Sequence, residues 1–254
     1  MYSHLVIIPT YNEKENIRAI VAAVKELPVA FDILVVDDGS PDGTADIVRD
    51  MQVDIPGLFL EERRGKLGLG TAYIHGFKWA LSHFYDFVYE MDADFSHDPR
   101  DLVSLAEELM EDRTDVVVGS RYVPGGGVVN WPRKRLWLSK TASVYVRLIT
   151  SLPVQDVTAG FVGYQSKVLI ALDLDKIRFV GYSFQIEMKF ASWTSGFRVQ
   201  EIPIIFKDRE LGKSKMSTNI IHEALYGVLK MKIDSYFKSY ARKDTDPVEV
   251  VKKS

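Results

Sequence analysis

Apolar residues along this chain gather into short runs, many of them β-branched, separated by stretches with helical spacing. Leu5-Val6-Ile7-Ile8, closed by Pro9, predicts a strand buried on both faces. Asn12 with Glu15 three residues on reads as a helix start, and the helix should run to about Leu27, before Pro28. Ile33-Leu34-Val35-Val36 predicts a second buried strand, ending in Asp37-Asp38-Gly39-Ser40. Pro41 fits the first turn of the next helix, where its missing N–H has no partner to lose. Leu58-Phe59-Leu60 reads as a third strand, followed by a Gly-rich loop and a helix from about Gly70 to His83. Phe87-Val88-Tyr89-Glu90-Met91 is the fourth strand and ends at Asp92-Ala93-Asp94. A helix over Pro99–Met110 leads to a fifth strand, Val116-Val117-Val118, which stops at Gly119-Ser120-Arg121.

This βα rhythm predicts an α/β fold with a mostly parallel sheet covered by helices. Ligands of such sheets bind beyond the carboxyl ends of the strands. Four predicted strand ends carry polar groups: Pro9-Tyr11-Glu13, Asp37-Asp38, Asp92-Asp94 and Arg121. Their convergence, rather than any one of them, marks a site. After Arg121 the rhythm loosens into Pro124-Gly125-Gly126-Gly127, the basic Arg133-Lys134-Arg135, and a helix over about 135–151. Residues 156–164, about 184–194 and 197–206 read as strand, helix and strand. From Ile220 the apolar positions 220, 221, 224, 225, 228 and 229 form one helical stripe, and the polar end from Arg242 to Ser254 is expected to be disordered. One catalytic domain is therefore expected over residues 1–216, an amphipathic helix over 217–241 that either packs on the core or lies at a membrane interface, and a tail over 242–254.

Composition narrows the chemistry. With 46% hydrophobic and 26% charged residues the 254-residue chain is expected to fold rather than stay disordered. A net charge of −3, from 32 basic and 35 acidic residues, argues against a nucleic-acid partner, which would call for a basic excess. The absence of cysteine excludes disulfides, thiol nucleophiles and Cys-based metal sites. No apolar run approaches the ~18 residues of a membrane span, and no signal-peptide plan is expected at the start.

The loop Gly65-Lys66-Leu67-Gly68-Leu69-Gly70-Thr71 is neither a Walker A loop nor a G-x-G-x-x-G fingerprint, because Thr71-Ala72 and Tyr73 stand where those motifs need other residues. A tight turn onto a helix and a substrate-contacting loop remain open for it. Asp92-x-Asp94 at a strand end sets two carboxylates close together, and their repulsion is relieved by a cation or by solvent, the latter making an ordinary acidic turn. Hard oxygen donors without cysteine point to Mg²⁺ or Mn²⁺, held by one or two carboxylates plus substrate phosphates. Ser96 and His97, just beyond, are candidates to support the metal. Arg121, Arg133-Lys134-Arg135 and Ser139 form a basic, hydroxyl-bearing group suited to a phosphate, with Arg135 and Ser139 on one helix face. Lys207, Arg209, Lys213 and Lys215 make a second cationic group.

Pro9-Thr10-Tyr11-Asn12-Glu13, Val36-Asp37-Asp38-Gly39-Ser40-Pro41-Asp42-Gly43-Thr44, the stretch Lys66 to Gly76, and Met91-Asp92-Ala93-Asp94-Phe95-Ser96-His97 together resemble the family 2 glycosyltransferases. Within that family they resemble the dolichol-phosphate (polyprenol-phosphate) mannose synthase catalytic subunits. Gly119-Ser120-Arg121-Tyr122, the stretch Tyr182 to Met188, and Arg209 with Ser214-Lys215 extend the likeness over about residues 4–216. The resemblance implies a GT-A fold and inverting transfer of mannose from GDP-mannose to a polyprenyl or dolichyl phosphate. It implies that Pro9, Tyr11, Glu13, Val36 and Asp38 hold the guanosine, and that Asp92, Ala93 and Asp94 meet the diphosphate and a Mg²⁺ or Mn²⁺ ion with Ser96 as a further ligand. It also implies that Arg121, Arg135 and Ser139 hold the lipid phosphate, and Arg209 and Lys215 the donor phosphates. It further implies work at the cytoplasmic face of a membrane, through an interfacial helix or a small membrane partner. Alternatives within reach of the same residues are another donor such as UDP-glucose, and a non-catalytic nucleotide-sugar-binding scaffold. Glu187 is read either as a carboxylate tuning an arginine or as a solvent-facing helical residue.

Overall fold

The structure is a computed structural model describing residues 2–111, 113–208 and 219–242, with only the backbone described for 182 and 219–226. The strands are β1 (His4–Thr10), β2 (Asp32–Asp37), β3 (Leu58–Glu62), β4 (Phe87–Glu90), β5 (Val116–Ser120), β6 (Gly127–Val129), β7 (Val162–Gln165), β8 (Val199–Pro203) and β9 (Ile205–Lys207). The helices are α1 (Ile17–Lys25), α2 (Thr44–Gln52), α3 (Leu69–Ser82), α4 (Asp101–Met110), α5 (Arg133–Thr150), α6 (Ser166–Ala171), α7 (Tyr182–Thr194) and α8 (Asn219–Ser235). Seven strands make one sheet in the order β3-β2-β1-β4-β7-β5-β8, and β6 pairs with β9 in a small second sheet. Every pairing in the large sheet is parallel except those of β7, which runs antiparallel between β4 and β5.

The continuous apolar runs are explained by a sheet buried on both faces. Val6, Ile8, Ile33 and Val35 pack with α1, α2 and α4, while Leu5, Ile7, Leu34 and Val36 pack with α3, α6 and α7. A third apolar cluster joins α5, α7 and α8 through Val146, Ile186, Phe190, Val228 and Met231. Through its described residues the last helix packs on α5 and α7.

The structure corrects several expected boundaries. The first helix begins at Ile17, not Asn12, and the N–H groups of Asn12 and Glu13 are held instead by Ser40 Oγ and Thr44 Oγ1. Asn12 itself sits at φ 58°, in a turn. Pro41 precedes α2 rather than opening it, and Asp42 accepts from the Thr44 N–H at 3.0 Å, closing that helix's first turn. Residues 151–161 are irregular, so the strand expected over 156–164 shrinks to β7. The strand expected over 197–206 divides at Ile204 into β8 and β9, which belong to different sheets. Neither β6 nor α6 was foreseen.

Candidate active site

The parallel run of β1, β2, β4 and β5 brings their carboxyl ends to one edge, as the alternation of strands and helices implied. At the end of β2, Asp37 is fully buried and accepts from Thr10 Oγ1 at 2.8 Å and from Ser40 Oγ at 2.6 Å. It ties β1, β2 and the following turn together. Asp38, next to it, accepts from Arg63 Nε at 2.7 Å and from the Leu67 N–H at 3.2 Å. Arg63 also reaches Thr71 Oγ1 at 2.9 Å, so one guanidinium pins the Gly-rich loop to the end of β2. Both choices left open for that loop gain a physical reading. Gly68 takes φ +103°, and a Cβ on Gly70 would fall 2.7 Å from Phe179 O, so these glycines serve a tight turn packed on residues 178–180. Lys66 in turn projects its ammonium 5.1 Å from the Tyr11 ring centroid, which puts the loop at the ligand edge. Pro9, Tyr11 and Glu13 line that edge half-buried, whereas Val36 and Ala93 turn their side chains into the core.

Beyond β4 the chain turns sharply through Phe95, at φ 59°. The turn brings the Ser96 N–H onto Asp94 Oδ1 at 3.1 Å and buries the Ser96 hydroxyl, which has no hydrogen-bond partner. Asp94 is buried and Asp92 half-buried. A buried hydroxyl without a partner beside carboxylates is a donor set that fits a hard divalent ion. Among the described residues no cluster of three or more His, Cys, Asp or Glu side chains is suited to a metal, so further ligands would come from Ser96 and from phosphate. His97 is not placed as a ligand. Its ring stacks on Phe161 and meets Phe206 edge-on, its Nδ1 accepts from the Asp92 N–H, and burial lowers its pKa, keeping it neutral near pH 7. The same ring feels the charges of Asp94, Arg121 and Asp156.

At the end of β5, Arg121 makes a two-pronged ion pair with fully buried Asp156, Nε and one Nη each at 2.6 Å, and that Nη also donates to Thr158 Oγ1 at 2.9 Å. Tyr122, Trp131 and Phe206 surround its guanidinium carbon at 5.2–5.4 Å. Arg135, in the first turn of α5, lies 3.9 Å from the Trp131 ring centroid and donates to Asp208 at 3.0 Å. Ser139, one turn on, accepts from Tyr122 OH at 2.7 Å. Arg121, Arg135 and Ser139 are thus joined through Tyr122 and Trp131, while Arg133 and Lys134 point to solvent. The backbone of Lys207 on β9 bonds to Ser96 O at 3.1 Å, linking the small sheet to the acidic turn. Arg209, Lys213 and Lys215 lie outside the described residues. Glu187 does neither thing expected of it. It is buried and accepts from the N–H groups of Arg178 and Phe179 and from Tyr240 OH, fastening the loop before α7.

The family profile described as Glycosyl transferase family 2 matches residues 5–172. The chain belongs to glycosyltransferase family 2. Relatives within it include the polyprenol monophosphomannose synthase of Mycolicibacterium smegmatis, 46% identical over 225 residues, or 88% of this chain and 84% of that protein. The undecaprenyl-phosphate mannosyltransferase of Micrococcus luteus is 45% identical, covering 89% of this chain and 92% of the relative. Among solved structures, glucosyl-3-phosphoglycerate synthase of Mycobacterium tuberculosis, in complex with Mn²⁺, UDP-glucose and phosphoglyceric acid, superposes with a TM-score of 0.65. It covers 92% of this chain and 80% of that one at 15% identity, a likeness of fold alone, and the fold is GT-A. Several site residues of this glycosyltransferase escaped sequence reasoning. Arg63 follows the strand-end rule that found Asp38 and was within reach of it. Asp156, Thr158 and Trp131 carry no local signal, since they gain meaning only against Arg121 and Arg135.

Proposed function

We propose that the protein transfers mannose from GDP-mannose to a polyprenyl or dolichyl phosphate, with inversion at the sugar carbon. The relatives' names at 45–46% identity support the sugar and the lipid phosphate. The observation that carries the reading is the pairing, along one crevice, of an acidic turn with a buried unpartnered hydroxyl and an arginine pair braced by Asp156 and Trp131. One side suits a diphosphate with its cation, the other an anionic acceptor.

Each residue has a role in that scheme. Tyr11, Glu13, Pro9 and the backbone at Val36 frame the nucleoside beside the Asp38–Arg63 pair. Asp92, Asp94 and Ser96 hold a divalent ion, Mg²⁺ or Mn²⁺, and the backbone at Ala93 meets the diphosphate. When bound, the ion supplies positive charge where the nucleoside diphosphate departs. Arg209 and Lys215 add charge at the same phosphates. Arg121, Arg135 and Ser139 hold the lipid phosphate so that its oxygen attacks the anomeric carbon as the bond to the diphosphate breaks. That oxygen carries negative charge near neutral pH and needs no general base. His97, neutral and walled by Phe161 and Phe206, is accordingly spared that task.

The lipid substrate calls for a membrane surface, and α5 is built for one. It carries Arg133, Lys134, Arg135, Lys140 and Arg147 with no acidic residue, and exposes Trp137, Leu138, Val144 and Leu148. The neighbouring α8 and the turn after it expose Leu229, Ile233, Tyr236 and Phe237 while burying Val228 and Met231. Among the described residues no helix is long and apolar enough to cross a membrane. The basic and apolar faces of α5 support peripheral docking, which we place at a cytoplasmic leaflet rich in anionic lipid.

The test is a transfer assay with labelled GDP-mannose or UDP-glucose, a polyprenyl phosphate and Mn²⁺, with and without chelator. Lipid-soluble label is expected from GDP-mannose and should vanish with chelator. Label from UDP-glucose alone overturns the donor, and calorimetric binding of GDP without transfer would favour a scaffold.

A further inference from the structure

Behind the crevice lies a polar chain that the proposed chemistry does not use. Lys189 on α7 is fully buried, and among the described residues no carboxylate lies within ion-pair distance of it. Its ammonium donates to Ala159 O at 2.6 Å, to Gln185 O at 3.1 Å and to Gln185 Oε1 at 3.3 Å. The Gln185 amide passes the connection on, its Nε2 donating to Glu90 Oε2, while Tyr164 OH donates to the other Glu90 oxygen at 3.1 Å. Glu90 is fully buried and closes β4, two residues before Asp92. Ala159 stands at the other end, next to Thr158, and its N–H bonds to Asp156 O at 3.2 Å. The two ends of the chain are therefore the footings of the two halves of the site.

We infer that Lys189 is a positioning residue for transfer: through Ala159 on one side and Gln185–Glu90 on the other, it fixes the spacing between the Arg121 clasp and the Asp92–Asp94 turn. This inference rests on the proposed function, which gives those two groups the acceptor and donor phosphates.

A buried lysine and glutamate are a poor way to make a core stable, since apolar residues of like volume in such places are often neutral or stabilising. What a hydrogen-bonded chain adds is fixed distance and direction. Electrostatics agree with the geometry, for the ammonium feels Glu90 on one side and Asp156 and Arg121 on the other, while burial pulls its pKa down. A misplacement of about 1 Å between reacting groups costs on the order of 100-fold in rate. The spacing is therefore worth a dedicated strut.

The experiment compares the full-length wild type with Lys189→Met and Gln185→Met. Lys189→Met, which leaves Ala159 O and Gln185 Oε1 without their donor, should melt below the wild-type temperature but stay folded, and should bind GDP with Mn²⁺ within about twofold of wild type. Its kcat/KM for the polyprenyl phosphate should fall by about 10- to 100-fold, with the donor KM unchanged. Gln185→Met, which keeps the bond to Ala159 O, should show the same split at smaller size. A Lys189→Met enzyme as fast as wild type overturns the strut, and so does failure of both variants to fold, since the chain would then serve stability alone. A wild type that transfers no sugar removes the functional reading itself, whereas an active wild type with an equally active Lys189→Met removes only this inference.

Discussion

On the function proposed above the candidate site has a donor side and an acceptor side, and the two are built differently. On the donor side, Asp37 and Asp38 sit at the end of β2, braced by Thr10 and Arg63, while Asp94 and Ser96 lie in the turn after β4, tied by one backbone bond, and all four are buried. On the acceptor side only Arg121 is anchored that way. Arg135 stands on a surface helix, about a third exposed, against the equally exposed Asp208. The donor side resembles a mould, its shape set by the sheet before any ligand arrives. The acceptor side is a grip on the rim, next to the exposed apolar residues of α5, where on the proposed reading a long lipid would enter and leave. Pre-organisation is thus concentrated where charge must be stabilised at a fixed point, and exposure where the substrate is delivered.

The sharpest break of this contrast is Asp94→Ala. Removing a carboxylate from the acidic turn should lower transfer by about 1,000-fold, through lost stabilisation of the departing diphosphate. Denaturant unfolding measured beside transfer separates lost chemistry from a lost fold, and a transfer defect far larger than the stability change is expected. Transfer at the wild-type rate, measured with saturating donor and Mn²⁺, would show that the donor side does not lie here.

Next in size is Asp156→Asn, which leaves the Arg121 guanidinium buried without its counter-charge. Breaking a buried pair costs about 3–5 kcal/mol, so denaturant unfolding should shift strongly and acceptor kcat/KM should fall with it. If stability holds, Arg121 is less dependent on Asp156 than their two 2.6 Å bonds imply.

The same contrast explains what was legible in the chain. Buried parallel strands announce themselves as β-branched runs, and their polar ends follow by counting, so the residues at the strand ends could be placed one by one. Gly68 and Gly70 were legible as a turn, but not as the place where residues 178–180 press in. The acceptor side depends on contacts far apart in sequence, between Arg121 and Asp156 and between Arg135 and Asp208, which no local pattern records. The small sheet of β6 and β9 was missed for a related reason. Two three-residue strands carry too little periodicity to be told from loop, and β9 hides in an apolar stretch continuous with β8.

Arg135→Ala should act more gently than either change above. Its partner Asp208 is on the surface, so stability should move by less than about 1 kcal/mol. The acceptor KM should rise about tenfold, for loss of one charge-assisted contact to phosphate, while the donor KM stays put. An equal rise in both would mean that the guanidinium serves the whole crevice rather than its rim.

The smallest effect isolates delivery from chemistry. Trp137→Ser with Leu148→Ser removes two exposed apolar side chains of α5, neither of which belongs to the core, so the fold should be nearly untouched. Each side chain moved from water into a lipid boundary contributes at most about 1.5–3 kcal/mol, and partial insertion contributes less. Binding to vesicles containing anionic lipid should weaken by about tenfold, and transfer to a long polyprenyl phosphate in those vesicles should slow accordingly. Transfer to a short, detergent-dispersed acceptor should proceed at the wild-type rate, because the phosphate grip one turn away is intact. Equal losses on both acceptors would place these residues in the crevice's own architecture and leave the membrane face to be sought elsewhere on the surface.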